Sequence, residues 1–167
     1  MKKDVVRLLG HLALGTRLKR LGDRLQAQTQ VILGDAGVPV PASHLPPLAA
    51  LNEVGPMTIG DLSRALGVTQ PGVTRMTATL EAAGLVRSGA AEDDGRARVV
   101  ALAPAGRQLL LRLRRRTFPA VEAAVREACD DDSGRFLAQL AGLEDALEAE
   151  PLATRVVRIG ARKRRHA

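Results

Sequence analysis

Residues 69–79 read TQPGVTRMTAT, a run whose side chains suit the edges and backbone of a nucleic acid duplex. The Gln70 amide can bond adenine with two hydrogen bonds, and the Arg75 guanidinium can reach guanine or a phosphate. Thr69 and Thr74 offer short hydroxyls, and Gly72, lacking a side chain, lets the backbone approach closely. Thr79 lies one turn beyond Arg75; it can touch a phosphate or simply be solvated. Two further guanidiniums, Arg96 and Arg98, follow Asp94-Gly95 and suit a minor groove or phosphate backbone, where negative potential is high. Arg75 has an alternative use: it can pair with Asp94 and brace the segment that carries Arg96.

These groups work only if rigid elements hold them. Thr58 followed by Asp61 approximates a capping box and opens a helix whose inner face is Leu62, Ala65 and Leu66. Gly67 stops that helix, Val68 plugs the turn, and Thr69 caps a second helix with Gln70 and Pro71 in its first turn. Val73, Met76, Thr77 and Leu80 face inward at helical spacing, and Gly84 ends the helix. The period then falls to two. Residues 85–88 and 98–102 read as strands around an Asp-Gly turn, a hairpin signal. Helix, tight turn, helix and charged hairpin make the layout of a winged helix-turn-helix, with the second helix sized for a major groove.

Upstream, residues 4–33 predict one long helix whose apolar stripe changes position near Gly15. Residues 43–53 predict a short helix, with Pro46 and Pro47 near its start. Pro104 begins a helix to about Cys129. A last helix over about 133–149 carries Leu137, Leu140, Leu143 and Leu147, and Asp130, Asp131 and Asp132 suit its positive end. The tail 155–167 shows little periodicity, and its like charges favour disorder. The fold class expected is mainly α with a small β-hairpin wing, divided as 1–34, 43–103, 104–150 and a basic tail 151–167.

Composition narrows the function. The 167 residues hold 25 Lys+Arg against 18 Asp+Glu, a net charge of +7, which invites a polyanion. Two Phe and no Tyr or Trp argue against modules that stack bases on aromatic rings. One cysteine excludes an internal disulfide and a multi-cysteine zinc site, and three histidines add no recognised metal spacing. No cofactor and no metal are expected. The longest charge-free stretch, residues 36–52, contains four prolines, so no membrane partner is expected. The start of the chain lacks the apolar centre of a signal peptide, and a cytoplasmic location is expected. Nucleophile motifs, phosphate-cradling glycine loops and convincing carboxylate pairs are missing, so an enzyme is not expected.

The run MTIGDLSRALGVTQPGVTRMTATLEAAGLVRS, continued by DDGRARVVALAPAGRQLL, resembles the MarR family of bacterial transcription regulators over roughly residues 45–112. The resemblance puts Gln70, Pro71, Gly72, Thr74 and Arg75 on a recognition helix, and Asp94 and Arg96 on the family's Asp-x-Arg wing signature. It implies a homodimer joined through residues 1–34 and 104–150, and a small amphipathic ligand bound between the dimer and DNA lobes. Two departures stand out. The family's Leu-Thr before the helix after the wing is Leu102-Ala103-Pro104 here, and losing a Thr cap costs about 1 kcal/mol. The first helix has no cysteine, unlike the peroxide-sensing branch. Cys129 sits beside Asp130, where acidic neighbours oppose thiolate formation.

The function expected is a homodimeric, sequence-specific DNA-binding regulator: a repressor on a pseudo-palindromic operator of double-stranded DNA, released by a small-molecule ligand. A winged protein-interaction module and a non-specific nucleoid-associated binder are the alternatives. His11 and His44 can polarise an effector carboxylate in a cleft, or be surface and satisfied histidines. Arg114-Arg115-Arg116 reads as a solvated helix face or a phosphate-lining one.

Overall fold

Hydrophobic periodicity and turn chemistry together place eight helices and three short strands in the computed structural model, which describes residues 4–90, 98–130 and 133–165. The chain divides into two units, Met1–Val121 and Glu122–Ala167.

The first unit opens with α1, Val5–Leu8, a 3-10 turn Gly10–Ala13, and α2, Leu14–Asp35. The single helix expected over 4–33 is therefore broken, and the break falls at Gly10 (φ +55°), ahead of the Gly15 region where the apolar stripe changes position. Asp4 caps α1 and accepts two bonds from Arg20 of α2 at 3.3 and 2.9 Å. That guanidinium holds the Asp4 carboxyl below its usual value. Helix α3, Leu45–Val54, takes Pro46 and Pro47 at its first positions, where a missing N–H breaks no helical bond.

Strand β1, Met57–Thr58, was not expected. It runs into α4, Ile59–Leu66, whose cap forms as predicted: Thr58 Oγ1 accepts from the Asp61 N–H at 3.1 Å and donates to the Asp61 carboxylate at 2.7 Å. Leu62 is fully buried and Leu66 half-buried. Ala65, expected inside, is exposed, since it lies beyond the narrow stripe an eight-residue helix buries.

Helix α5, Gln70–Ala82, is followed by β2, Val86–Ala90, and β3, Arg98–Leu102. The sheet is antiparallel in the order β1-β3-β2, with Met57 opposite Val100 and Val86 opposite Leu102. Helix α6, Pro104–Cys129, follows at once. The core of this unit joins Leu33, Leu48, Leu62, Val73, Leu80, Val100 and Leu110, each at most 1% exposed. Gly106 makes one close approach possible: a β-carbon there would stand 2.1 Å from the Leu85 carbonyl oxygen. That oxygen also accepts the Ala103 N–H, so the start of α6 is seated directly on the end of the α5–β2 turn.

The second unit holds the end of α6, then α7, Arg135–Ala149, and α8, Leu152–Arg165. Helix α7 starts after Gly134, so Asp130 lies upstream of its first turn. Asp130 ends α6 in a left-handed turn (φ +51°) instead of capping α7; Asp131 and Asp132 lie outside the described residues. The aperiodic tail expected from residue 155 is corrected outright, because α8 is a helix. Leu152, Val156 and Ile159 recur at steps of four and three, with Arg155, Arg158 and Arg162 on an adjoining stripe. Glu150 offsets the basic run, bonding Arg158 through two 2.9 Å contacts that lower the Glu150 carboxyl below its usual value. No described helix is long and apolar enough to cross a membrane.

Candidate nucleic-acid interface

The turn between α4 and α5 is built from backbone chemistry. Gly67 adopts φ +62°, a conformation that costs glycine little and other residues more. Ser63 Oγ donates to the Val68 carbonyl at 2.6 Å, closing the turn from the other side. Thr69 then caps α5, its hydroxyl oxygen accepting the Gly72 N–H at 3.4 Å. Thr69 thus has a structural task at the point where a duplex contact is also expected.

Helix α5 is divided lengthwise. Val73, Thr77 and Leu80 are buried and Met76 half-buried; Gln70, Pro71, Thr74, Arg75, Ala78 and Thr79 are exposed on the other half. The buried Thr77 hydroxyl is satisfied by the carbonyls of Val73 and Thr74, both at 3.0 Å. On the exposed half, Thr74 donates to the Gln70 carbonyl at 2.9 Å and Thr79 to the Arg75 carbonyl at 3.1 Å. Each hydroxyl oxygen retains acceptor capacity toward solvent. The Arg75 Nε donates to the Pro71 carbonyl at 3.4 Å, which lays the guanidinium along the helix. The Gln70 amide nitrogen lies 3.8 Å from where a β-carbon would stand at Gly60, so it covers the start of α4 while its residue stays exposed.

Gly72 is half-buried and turned toward the turn, not outward. A β-carbon there would meet Val68 Cγ1 at 2.9 Å and Thr69 Oγ1 at 3.3 Å. Its small size serves helix-turn-helix packing first.

The wing is held by a residue the sequence reading passed over. Glu81, near the end of α5, accepts the Ser88 N–H of β2 at 3.1 Å through Oε1 and the Arg98 guanidinium of β3 at 2.5 Å through Oε2. Arg98 is therefore ion-paired, with its side chain 57% exposed, rather than an unattached finger. Asp94 and Arg96 lie outside the described residues, and so does the Arg75–Asp94 alternative. An acid on α5 facing a basic strand was the available signal for Glu81, but their separation of 17 residues hid it.

Elsewhere, Arg114 of α6 is ion-paired with Glu53 of α3, so it is not merely solvated. His11 is exposed on the first 3-10 turn. His44 is half-buried, with Nδ1 3.2 Å from the Ser43 hydroxyl, and burial lowers its pKa. No hydrogen bond or ion pair among the described residues joins the two histidines. Cys129 is exposed at the end of α6. No group of three or more metal-ligating side chains occurs among the described residues.

A capped second helix after a left-handed glycine turn, a three-stranded sheet and a hairpin held to that helix define a winged helix-turn-helix. Residues 37–97 match the sequence profile of the MarR family. A probable transcriptional regulator from Pseudomonas aeruginosa is similar in structure at 27% identity and a TM-score of 0.63, over 80% of this chain and 96% of that one. The transcriptional regulator BldR from Sulfolobus solfataricus is similar at 25% identity and a TM-score of 0.65, over 88% and 99%. The transcriptional repressor CouR, bound to a 23-mer DNA duplex, shares the fold at 24% identity and a TM-score of 0.69, over 81% and 96%. No curated protein sequence matches the chain. The profile match covers the winged segment, and these similar structures are those of transcriptional regulators.

Proposed function

We propose that this chain is a cytoplasmic, homodimeric regulator that represses transcription by binding a pseudo-palindromic operator, and that a small amphipathic ligand releases it. One observation carries the reading. The exposed half of α5 presents Gln70, Thr74, Arg75 and Thr79, opposite a half sealed into the core by Val73, Thr77 and Leu80. Such a helix offers amide, hydroxyl and guanidinium groups to base edges and phosphates, and it is rigid because its inner face is packed. Pro71 is exposed in its first turn, and Gly72 lets that turn pack closely on Val68 and Thr69. Arg96 extends the contact through the wing to an adjacent minor groove or backbone, and Arg98 is bonded to Glu81 beside it. The same half of α5 carries no large apolar anchor, which a protein-docking surface needs.

Pairing of two copies is supported by apolar exposure away from the wing. Leu8, Leu12, Leu21 and Val31 of the first 35 residues, and Leu137, Leu152, Val156 and Val157 of the second unit, are 45–85% exposed. In a symmetric pair, two α5 helices read half-sites about one helical turn, roughly 10 bp, apart. Release by ligand rests on the family resemblance, with His11 and His44 as candidate pocket residues. Such a ligand acts by preferring an arrangement with the wrong α5 spacing.

Selection of genomic fragments by the purified protein tests the reading. The expected result is a two-fold symmetric motif whose binding weakens by about 10³–10⁵ between 50 and 200 mM salt, as six to ten phosphate contacts require. Salt-insensitive binding, or no enriched motif, would overturn it.

A further inference from the structure

We infer that Glu81 is a positioning residue that fixes the pitch of the wing against the recognition helix, and that Arg98 contributes to duplex binding through Glu81 rather than by touching DNA. The inference deepens the DNA-binding reading and rests on it for its effect on affinity.

Strand β2 is an edge of the sheet, so half of its backbone donors have no strand to pair with. Glu81 takes one of them, the Ser88 N–H, at 3.1 Å. Its second carboxylate oxygen takes the Arg98 guanidinium at 2.5 Å. One side chain of α5 therefore holds both strands of the hairpin, β2 by its backbone and β3 by a side chain. The clamp also lies away from the hairpin's base: Ser88 is opposite Val100 in mid-strand, and Arg98 is opposite Ala90, the last described pair before residues 91–97. A hairpin is free to tilt about its base. A clamp near its far end restrains the tilt more than the buried Val86–Leu102 pair at the base does. The Glu81 side chain is 37% exposed and that of Arg98 57%, so the pair is reachable by solvent and worth little as bulk stability. What it supplies is direction: it fixes β2 and β3 against the helix that carries Gln70 and Arg75.

Direct contact and positioning make different predictions for salt. Losing one phosphate contact lowers the slope of log K against log salt by about 0.9. Losing a brace lowers affinity while the number of contacts in the bound state stays the same.

The test uses Glu81→Ala, Arg98→Ala, both together, and the reversed pair Glu81→Arg with Arg98→Glu, each on the full chain. Without DNA, Glu81→Ala should speed amide hydrogen exchange at Ser88 and its β2 neighbours while leaving Val73 and Leu80 protected. On a selected duplex, each single variant should bind about 3–30-fold more weakly with an unchanged salt slope. The double variant should be no weaker than Glu81→Ala alone, and the reversed pair should recover only the tie to β3, bringing affinity back to no better than that of Arg98→Ala, because a guanidinium at position 81 cannot accept the Ser88 N–H. Unchanged exchange at Ser88 would overturn the clamp. A slope reduced by about 0.9 in Arg98→Ala, with Glu81→Ala binding normally, would make Arg98 a direct contact and overturn the proposal. If the unaltered protein binds no duplex, the DNA-binding reading fails, and hydrogen exchange alone decides whether Glu81 holds the wing.

Discussion

The winged unit and the C-terminal unit solve the burial problem differently. In the first, helices α3 to α6 and the sheet close around Leu48, Leu62, Leu80 and Val100, which are inaccessible. In the second, α7 has no buried residue, and Leu137, Leu152, Val156 and Val157 are each more than 60% exposed. The winged part of the first has a core that one chain completes, although Leu8, Leu12 and Val31 ahead of it are exposed too. The second is a pair of amphipathic helices that one chain leaves open, and a helix with an uncovered apolar face gains little from folding alone. In the proposed function, DNA reading falls to the part with a closed core, and association falls to the helices whose apolar faces stay exposed.

Substitutions can separate the two. Leu80→Ala, at a site with 0% exposure, should cost about 2–5 kcal/mol and lower the melting temperature at every protein concentration. Gly106→Ala forces a methyl against the Leu85 carbonyl and should cost about 1–3 kcal/mol, seen as an earlier denaturation midpoint with unchanged slope. Leu137→Ala should change the stability of the dilute chain by no more than about 0.5 kcal/mol. It should nevertheless weaken self-association, which sedimentation over a range of concentrations would show. A large loss of stability in the dilute monomer would mean that α7 is covered within one chain, contradicting the contrast. Ser88→Ala should be neutral or slightly stabilising in thermal melts. The Ser88 hydroxyl is buried without a hydrogen-bond partner among the described residues, so its removal leaves no other group unpaired.

The same contrast explains what was legible from residues alone. The α4–turn–α5 segment is written locally: Thr58 and Asp61, Gly67, and Thr69 act within a few residues of one another, and all behave as read. Strand β1 was invisible because two residues carry no period; it exists through its pairing with Val99 and Val100, some forty residues on. Glu81, Gly106 and the Arg114–Glu53 pair were missed for the same reason, since each acts across a long chain separation. Helix α8 was misread for a different one. Its basic run drew attention to charge, while Leu152, Val156 and Ile159 supplied a helical repeat that Glu150 helps to anchor. Of the candidate site, the α5 residues were readable from spacing, whereas the wing needed the sheet to show that Arg98 is already paired.

The claim that matters most is that the outer edge of α5 reads bases. Comparing the motifs selected by the unaltered protein and by Gln70→Ala from one pool of duplexes tests it most directly. The account predicts that Gln70→Ala relaxes preference at one position in each half-site, by about 1–3 kcal/mol, while preference at the others persists. An identical motif from both proteins would contradict it.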